Sequence, residues 1–322
     1  MKRLFACTLM LFATAPSLAA DANGYTAKYE CRAGGQYCDV DINQLTKRSC
    51  DQTISVSTPW SSINWSNNTI CLEAGDHSSK GTLTLSASGT ASSPKVLRYH
   101  RTGDNDDEPW NQPSNNRAAL EKLDIYGKSH WIIHRLSFQN DVNNTTQLHI
   151  YNSSNVIVNR SYFTNMDTAA IVFERGVSTT DSNTIQNSVV RDGQLKRNFD
   201  VMGIDICNAT NTRIVNNEIR NPGSHHVQIS ECGGGVQGTI IENNDLYFSS
   251  DVYTNCSGSY TRSGACAGGE AIVSLKDSGT SSNPVKVVQN RIWGARYNDM
   301  NVCCTGASGS AISPVGGGNT NS

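Results

Sequence analysis

The chain of 322 residues is poor in charge: Asp, Glu, Lys and Arg together make up 17%, and the formal net charge is −2. So small a net charge gives no electrostatic basis for binding nucleic acid or an anionic membrane, and neither is expected as a partner. Beyond the N-terminus there is no apolar run long enough to cross a membrane as a helix. A leucine-dominated repeat consensus is missing, which excludes a leucine-rich-repeat solenoid. None of the cysteines has the CxxC spacing of a zinc site. What dominates instead is Asn, Ser, Thr and Gly, set among Val and Ile. Turn formers between β-branched residues describe many short strands.

The first residues form an export signal. Lys2 and Arg3 precede an apolar stretch over residues 4–15, and small residues close it at Ser17, Leu18, Ala19 and Ala20. A charged region, a short apolar region and an A-x-A-like cleavage site point to a secreted or periplasmic protein. Ten of the 11 cysteines follow that signal. In an exported chain they are expected to form disulfides. Local spacing favours Cys31 with Cys38, Cys50 with Cys71, and Cys256 with Cys266; Cys207 with Cys232, and the adjacent Cys303 and Cys304, stay open.

Self-similarity is the strongest signal. WIIHRLSFQN at Trp131 returns as VIVNRSYFTN at Val156 and as RIVNNEIRN at Arg213, with further copies at Thr184, Thr239 and Val285. Each copy is a short β-branched strand, a polar corner and a second short strand. The corners are Arg135, Arg160, Asn187, Asn217, Asn244 and Asn290, at intervals of 25, 27, 30, 27 and 46 residues. The long last interval holds a Cys- and Ser-rich insertion over residues 249–268. One solenoid coil per repeat explains the period, and stacked corner asparagines can bond as an amide ladder. The expected fold is all-β, a single-stranded right-handed parallel β-helix with an inserted loop. Its expected divisions are a signal peptide over residues 1–20, an entry region over 21–68 and the β-helix over 69–322. The Gly-, Asn- and Ser-rich end offers no obvious cap for the last coil, as in a fragment or a linker.

One strand per coil is expected to form a flat ribbon. Aligning residues 148–150, 171–174, 204–207, 227–231 and 273–276 by apolar alternation puts Asp205, Gln228 and Ser274 on one outward column. Cys207, Ser230 and Lys276 fall on the next, with His226 and Glu231 flanking them. Asp200 and Glu270 add carboxylates nearby, and Glu174, Arg175, Asp192 and Arg197 are candidates for a groove wall. Tyr247, Phe248, Tyr253 and Tyr260 can stack on sugar rings or pack the insertion.

The phrase from Ser88 through Gly89, Thr90 and Pro94, and its copy from Ser278 to Val285, resemble the coils of secreted β-helix polysaccharide lyases of the pectate lyase superfamily. The stretch from Glu270 to Asp277 is loosely similar to an acidic-strand-then-lysine phrase of the chondroitinase B and alginate lyase family. That resemblance implies Lys276 as catalytic base and Glu270 as a ligand to Ca²⁺, with Glu231 and Asp200 as further metal candidates. His226 and Asp205 complete the expected catalytic set. Two departures stand beside it: Gly268 replaces a glutamate of that pattern, and neither Arg291 nor Arg296 is followed by His-Gly. The implied activity is β-elimination on an acidic polysaccharide by a monomeric enzyme. A β-helix glycoside hydrolase and a non-catalytic carbohydrate-binding β-helix are the alternatives. The hydrolase needs two opposed carboxylates, and the Asn-Thr-Asp and paired-Asp phrases of polygalacturonases are absent from the ribbon strands.

Overall fold

The structure is a computed structural model. It describes residues 46–100, 108–139, 145–176, 181–193, 201–222, 225–230, 232, 235–248, 261–262, 265–266, 273–275, 279–293 and 312–314. The chain is a right-handed parallel β-helix. Each coil passes through three parallel sheets in turn, and within these sheets each inner strand pairs with the strand one coil earlier and one coil later.

The first sheet has eight strands, Leu83–Thr84, Leu123–Tyr126, Leu148–Tyr151, Ala169–Glu174, Met202–Cys207, Val227–Ser230, Val273–Leu275 and Ile312–Pro314. The second has nine and runs from Gln52–Ile54 to Lys286–Val288, with Trp131–His134 and Val156–Asn159 at its middle. The third has eight, from Gly75–Asp76 to Arg291–Trp293, including Tyr162–Thr164, Val189–Arg191, Glu218–Arg220 and Asp245–Tyr247. Gln52–Ile54 already pairs in parallel with Thr69–Leu72, so the coil stack begins before residue 69. The expected signal segment and most of the expected entry region lie outside the described residues.

Inward side chains fill the axis as stacked rows. Leu123, Leu148, Ile171, Ile204 and Val227 share one row, and all are fully buried. Phe138 and Phe163 stack face to face at 4.6 Å in the row of the third sheet. No single coil can bury its apolar stripe alone, so the core exists only between neighbours.

The polar corner joins the second sheet to the third, and it holds two amide ladders rather than one. At its outer position Arg135, Arg160, Asn187, Asn216, Asn243 and Gln289 all take the left-handed backbone, with φ from 50° to 57°. Asn216 Nδ2 bonds Asn187 Oδ1 at 2.6 Å, and Asn243 Nδ2 bonds Asn216 Oδ1 at 3.2 Å. One residue later lies a buried ladder: Asn244 Oδ1 accepts from the Asn217 backbone and side-chain amides at 2.9 and 3.0 Å, and Asn290 Oδ1 does the same for Asn244 at 2.9 Å. The expected corner series is therefore corrected. Arg135, Arg160 and Asn187 belong to the outer position, whereas Asn217, Asn244 and Asn290 belong to the inner one.

The two copies of the Ser-Gly-Thr phrase fold alike. In each, a threonine hydroxyl caps the turn from the first sheet to the second, receiving the amide of Ser93 at 3.0 Å or of Asn283 at 3.2 Å. A Cβ on Gly89 would lie 2.5 Å from the His130 carbonyl oxygen, so only glycine fits there. Two disulfides are present among the described residues, Cys50–Cys71 and Cys207–Cys232. They fit an oxidising compartment. No helix among the described residues is long and apolar enough to cross a membrane.

Candidate functional site

Side chains on the first sheet alternate between axis and surface, as the burial of Leu148–Tyr151 shows. Strand pairing defines two outward columns. One runs Asp124, His149, Val172, Asp205, Gln228, Ser274; the other runs Tyr126, Tyr151, Glu174, Cys207, Ser230. The expected alignment of Asp205 with Gln228 and Ser274, and of Cys207 with Ser230, matches this register.

Three of these side chains form one chain of hydrogen bonds. His149 Nε2 lies 2.7 Å from Glu174 Oε2, and His149 Nδ1 lies 3.1 Å from the Tyr126 hydroxyl. A carboxylate facing Nε2 holds the imidazole proton on that nitrogen. Nδ1 is then the acceptor for the Tyr126 O–H. Tyr126 and His149 meet edge to face at 5.3 Å, and Tyr151 packs on both, with ring centroids 5.8 Å from each. Partial burial and the Asp124 carboxylate, with a smaller push from Glu174, raise the Tyr126 phenol to about 12. Tyr126 is therefore a protonated phenol at neutral pH, yet its side chain is 41% exposed and reachable. Asp124 is itself ion-paired with Lys122 at 3.2 Å.

A second polar group lies further along the ribbon. Ser230 Oγ donates to Asp205 Oδ1 at 2.6 Å, and Gln228 Nε2 donates to Ser230 Oγ at 2.7 Å. Gln228 Oε1 and Ser274 Oγ have no hydrogen-bond partner among the described residues. The Cys207–Cys232 disulfide adjoins this group.

His226 does not join the ribbon, which corrects the expectation that it flanks the outward columns. It is fully buried, edge-on to Phe248 at 4.5 Å, with Nε2 donating to the Tyr247 carbonyl at 2.7 Å. Burial lowers its pKa to about 3, so it is a neutral packing histidine. Asp192, expected on a groove wall, instead pairs with Arg220 of the third sheet at 2.9 Å. Lys276, Glu270, Glu231, Asp200 and Arg197 lie outside the described residues.

Sequence reasoning missed Tyr126, His149 and Tyr151. The signal was present: Leu123–Tyr126 reads LDIY and Leu148–Tyr151 reads LHIY. Placing the earlier strand in the alignment brings Tyr126 beside His149.

The described residues do not by themselves build a calcium site. The ribbon carboxylates Asp124, Glu174 and Asp205 are separately engaged with Lys122, His149 and Ser230. The one close group of potential metal ligands among the described residues is Cys50, Cys71 and His100, and its two sulfurs are bonded to each other.

No family model matches the chain, and no curated protein matches it. Among solved structures, it is similar to an alginate lyase from Paenibacillus sp. str. FPU-7, with a TM-score of 0.36 and 16% identity over 74% of this chain and 75% of that one. So distant a likeness assigns no activity to this chain; the fold described above rests on its own strand pairing.

Proposed function

We propose that the protein is a secreted, monomeric polysaccharide lyase that cleaves a uronate-containing polysaccharide by β-elimination at Tyr126 and His149. The observation that carries this reading is the hydrogen-bonded chain from the Tyr126 hydroxyl through His149 to Glu174 on an exposed, rigid strand face.

Elimination needs a base for the C5 proton beside the uronate carboxylate and an acid for the departing O4. A phenol raised to about 12 does not stand ready as a phenolate. It acts by relay instead. As C5–H breaks, its proton passes to the Tyr126 oxygen while the phenol's own proton moves to His149 Nδ1. Glu174 stabilises the imidazolium so formed. The electron pair left on C5 forms the C4=C5 double bond as C4–O4 breaks. Tyr126 then protonates O4 and recovers its proton from His149. The proton lost from C5 ends on the leaving oxygen, and the enzyme is restored. In this scheme Glu174 is a positioning residue.

Asp205 and Ser230 continue the same ribbon as substrate contacts, with the buried Gln228 holding Ser230. The strand Val273–Leu275 is four coils beyond Leu148–Tyr151, which is ~19 Å at the usual strand spacing. Lys276 follows that strand in the sequence and lies outside the described residues; as an alternative base it would act there rather than at His149. Calcium held by Asp200, Glu231 and Glu270 would neutralise a substrate carboxylate.

Incubation with alginate, polygalacturonate and chondroitin sulfate, with and without a chelator, tests the reading. Elimination gives an ultraviolet-absorbing double bond, whereas hydrolysis gives reducing ends alone. New absorbance on one of these polymers is expected. Reducing ends without absorbance would establish a hydrolase, and neither signal on any acidic glycan would leave a binding protein.

A further inference from the structure

The third sheet presents a second outward ribbon that the proposed chemistry does not use. Strand pairing aligns Thr164, Arg191, Arg220, Tyr247 and Trp293 in one column that is half-buried to exposed; in the next, Tyr162, Val189, Glu218 and Asp245 are buried and Arg291 is exposed. At one end Tyr162 lies between two guanidinium groups, Arg117 at 4.8 Å and Arg191 at 5.1 Å from the ring centre. At the other end Tyr247 and Trp293 stack at 4.3 Å with planes 8° apart, and Trp293 is 42% exposed.

The charges between these ends are mostly spent within the protein. Arg220 pairs with Asp192, Arg291 with Asp245, and the Tyr247 hydroxyl donates to Glu218 at 2.8 Å. Arg117 and Arg191 differ. Arg117 bonds only the Gln112 carbonyl, and Arg191 has only the Tyr162 ring; neither has a carboxylate among the described residues. Two cations with no carboxylate partner among the described residues, held by one aromatic ring, suit an arriving anion with planar oxygens. An exposed indole set firmly on a second ring suits the apolar face of a sugar. Both ends share one straight ribbon whose repeat, ~4.8 Å per coil, is on the order of one sugar residue.

We infer that the third sheet is a second binding site for an acidic polysaccharide chain, separate from the first-sheet ribbon. Arg117 and Arg191 meet its carboxylates, and Trp293 stacks a ring about three coils away. The identity of the ligand rests on the proposed action on uronates; the ribbon's geometry does not. Such a site would hold the enzyme on its polymer while the first sheet works on another segment.

Affinity electrophoresis through gels containing polygalacturonate, alginate or a neutral β-glucan tests this, with Tyr126→Phe as the parent so that no cleavage interferes. Trp293→Ala and Arg117→Ala/Arg191→Ala are expected to weaken retention by an acidic polymer at least about fivefold, the arginine pair in a salt-sensitive way. Arg191→Glu, whose charge reversal leaves the core untouched, guards against misfolding, and melting curves of all variants must overlay the parent's. Retention equal to the parent's in folded variants overturns the inference. Equal retention by the neutral glucan overturns the acidic ligand. Failure of elimination alone leaves the binding result intact, so the two readings fail separately.

Discussion

His149 and His226 differ by two kinds of contact, and those contacts decide their chemistry. His149 sits on an outward column with a carboxylate on one nitrogen and a phenol on the other. His226 gives its Nε2 proton to a backbone carbonyl inside the coil. Glu174→Gln removes the carboxylate that fixes the His149 tautomer. The turnover number is expected to fall by about 100-fold with KM nearly unchanged, because the loss is confined to proton transfer. An equal change in KM and none in kcat would make Glu174 a mere binding group. His226 carries a pH prediction. Its folded pKa of about 3 lies below the ordinary value of 6.5. The unfolded chain therefore binds the extra proton first, and stability is lost as pH falls from 6.5 towards 3, by at most about 1.4 kcal/mol per pH unit. His134, buried beside Arg135, Arg160 and Arg98, is shifted in the same direction. Chemical denaturation at pH 7 and pH 4.5 is expected to show a lower midpoint at the acid end, and His226→Gln is expected to reduce that difference. At this scale the sequence was least legible. A histidine after leucine on one strand carries no sign of its neighbours; only the register of two adjacent coils brings Tyr126 and Glu174 to it.

At the scale of elements the asparagine corners separate two kinds of ladder. Asn244 closes a buried set of bonds: its Oδ1 receives two amides of Asn217, and its Nδ2 donates to the Ile214 carbonyl at 2.9 Å. Asn244→Ala leaves those groups unpaired away from water and is expected to cost ~2–4 kcal/mol in urea unfolding. Asn243, at φ 55° on the outer ladder, is different. Asn243→Gly keeps the left-handed backbone and is expected to cost less than about 1 kcal/mol. Equal losses would mean that the inner ladder carries no special burden. The repeats and the strand alternation were legible because both follow from a period: one coil per copy, one face per second residue. The corner series slipped by one residue after Asn187 because Asn216 and Asn217 are identical letters in different backbone conformations. The strand Gln52–Ile54 was not legible for a similar reason, since it pairs with Thr69–Leu72 but belongs to no repeated phrase.

For the whole molecule, stacking is the source of both stability and function. Each coil contacts its two neighbours, so a lost core side chain is felt locally. Phe163→Ala removes one of two stacked rings at the axis and is expected to cost ~3–5 kcal/mol. Its effect on amide hydrogen exchange is expected to be strongest in the adjoining coils around Phe138 and Val190, the strands paired with it. The same stacking aligns Tyr126, His149 and Glu174 from three successive coils, so the reacting group is a product of the coil period itself. The measurement that tests this most directly is the initial rate of double-bond formation on an acidic glycan by the unmodified protein, Tyr126→Phe and Lys276→Ala, each checked for an unchanged melting temperature. Tyr126→Phe is expected to lose at least about 100-fold in turnover. Full turnover in Tyr126→Phe together with complete loss in Lys276→Ala would move the chemistry to Lys276 and contradict the role assigned to Tyr126 and His149.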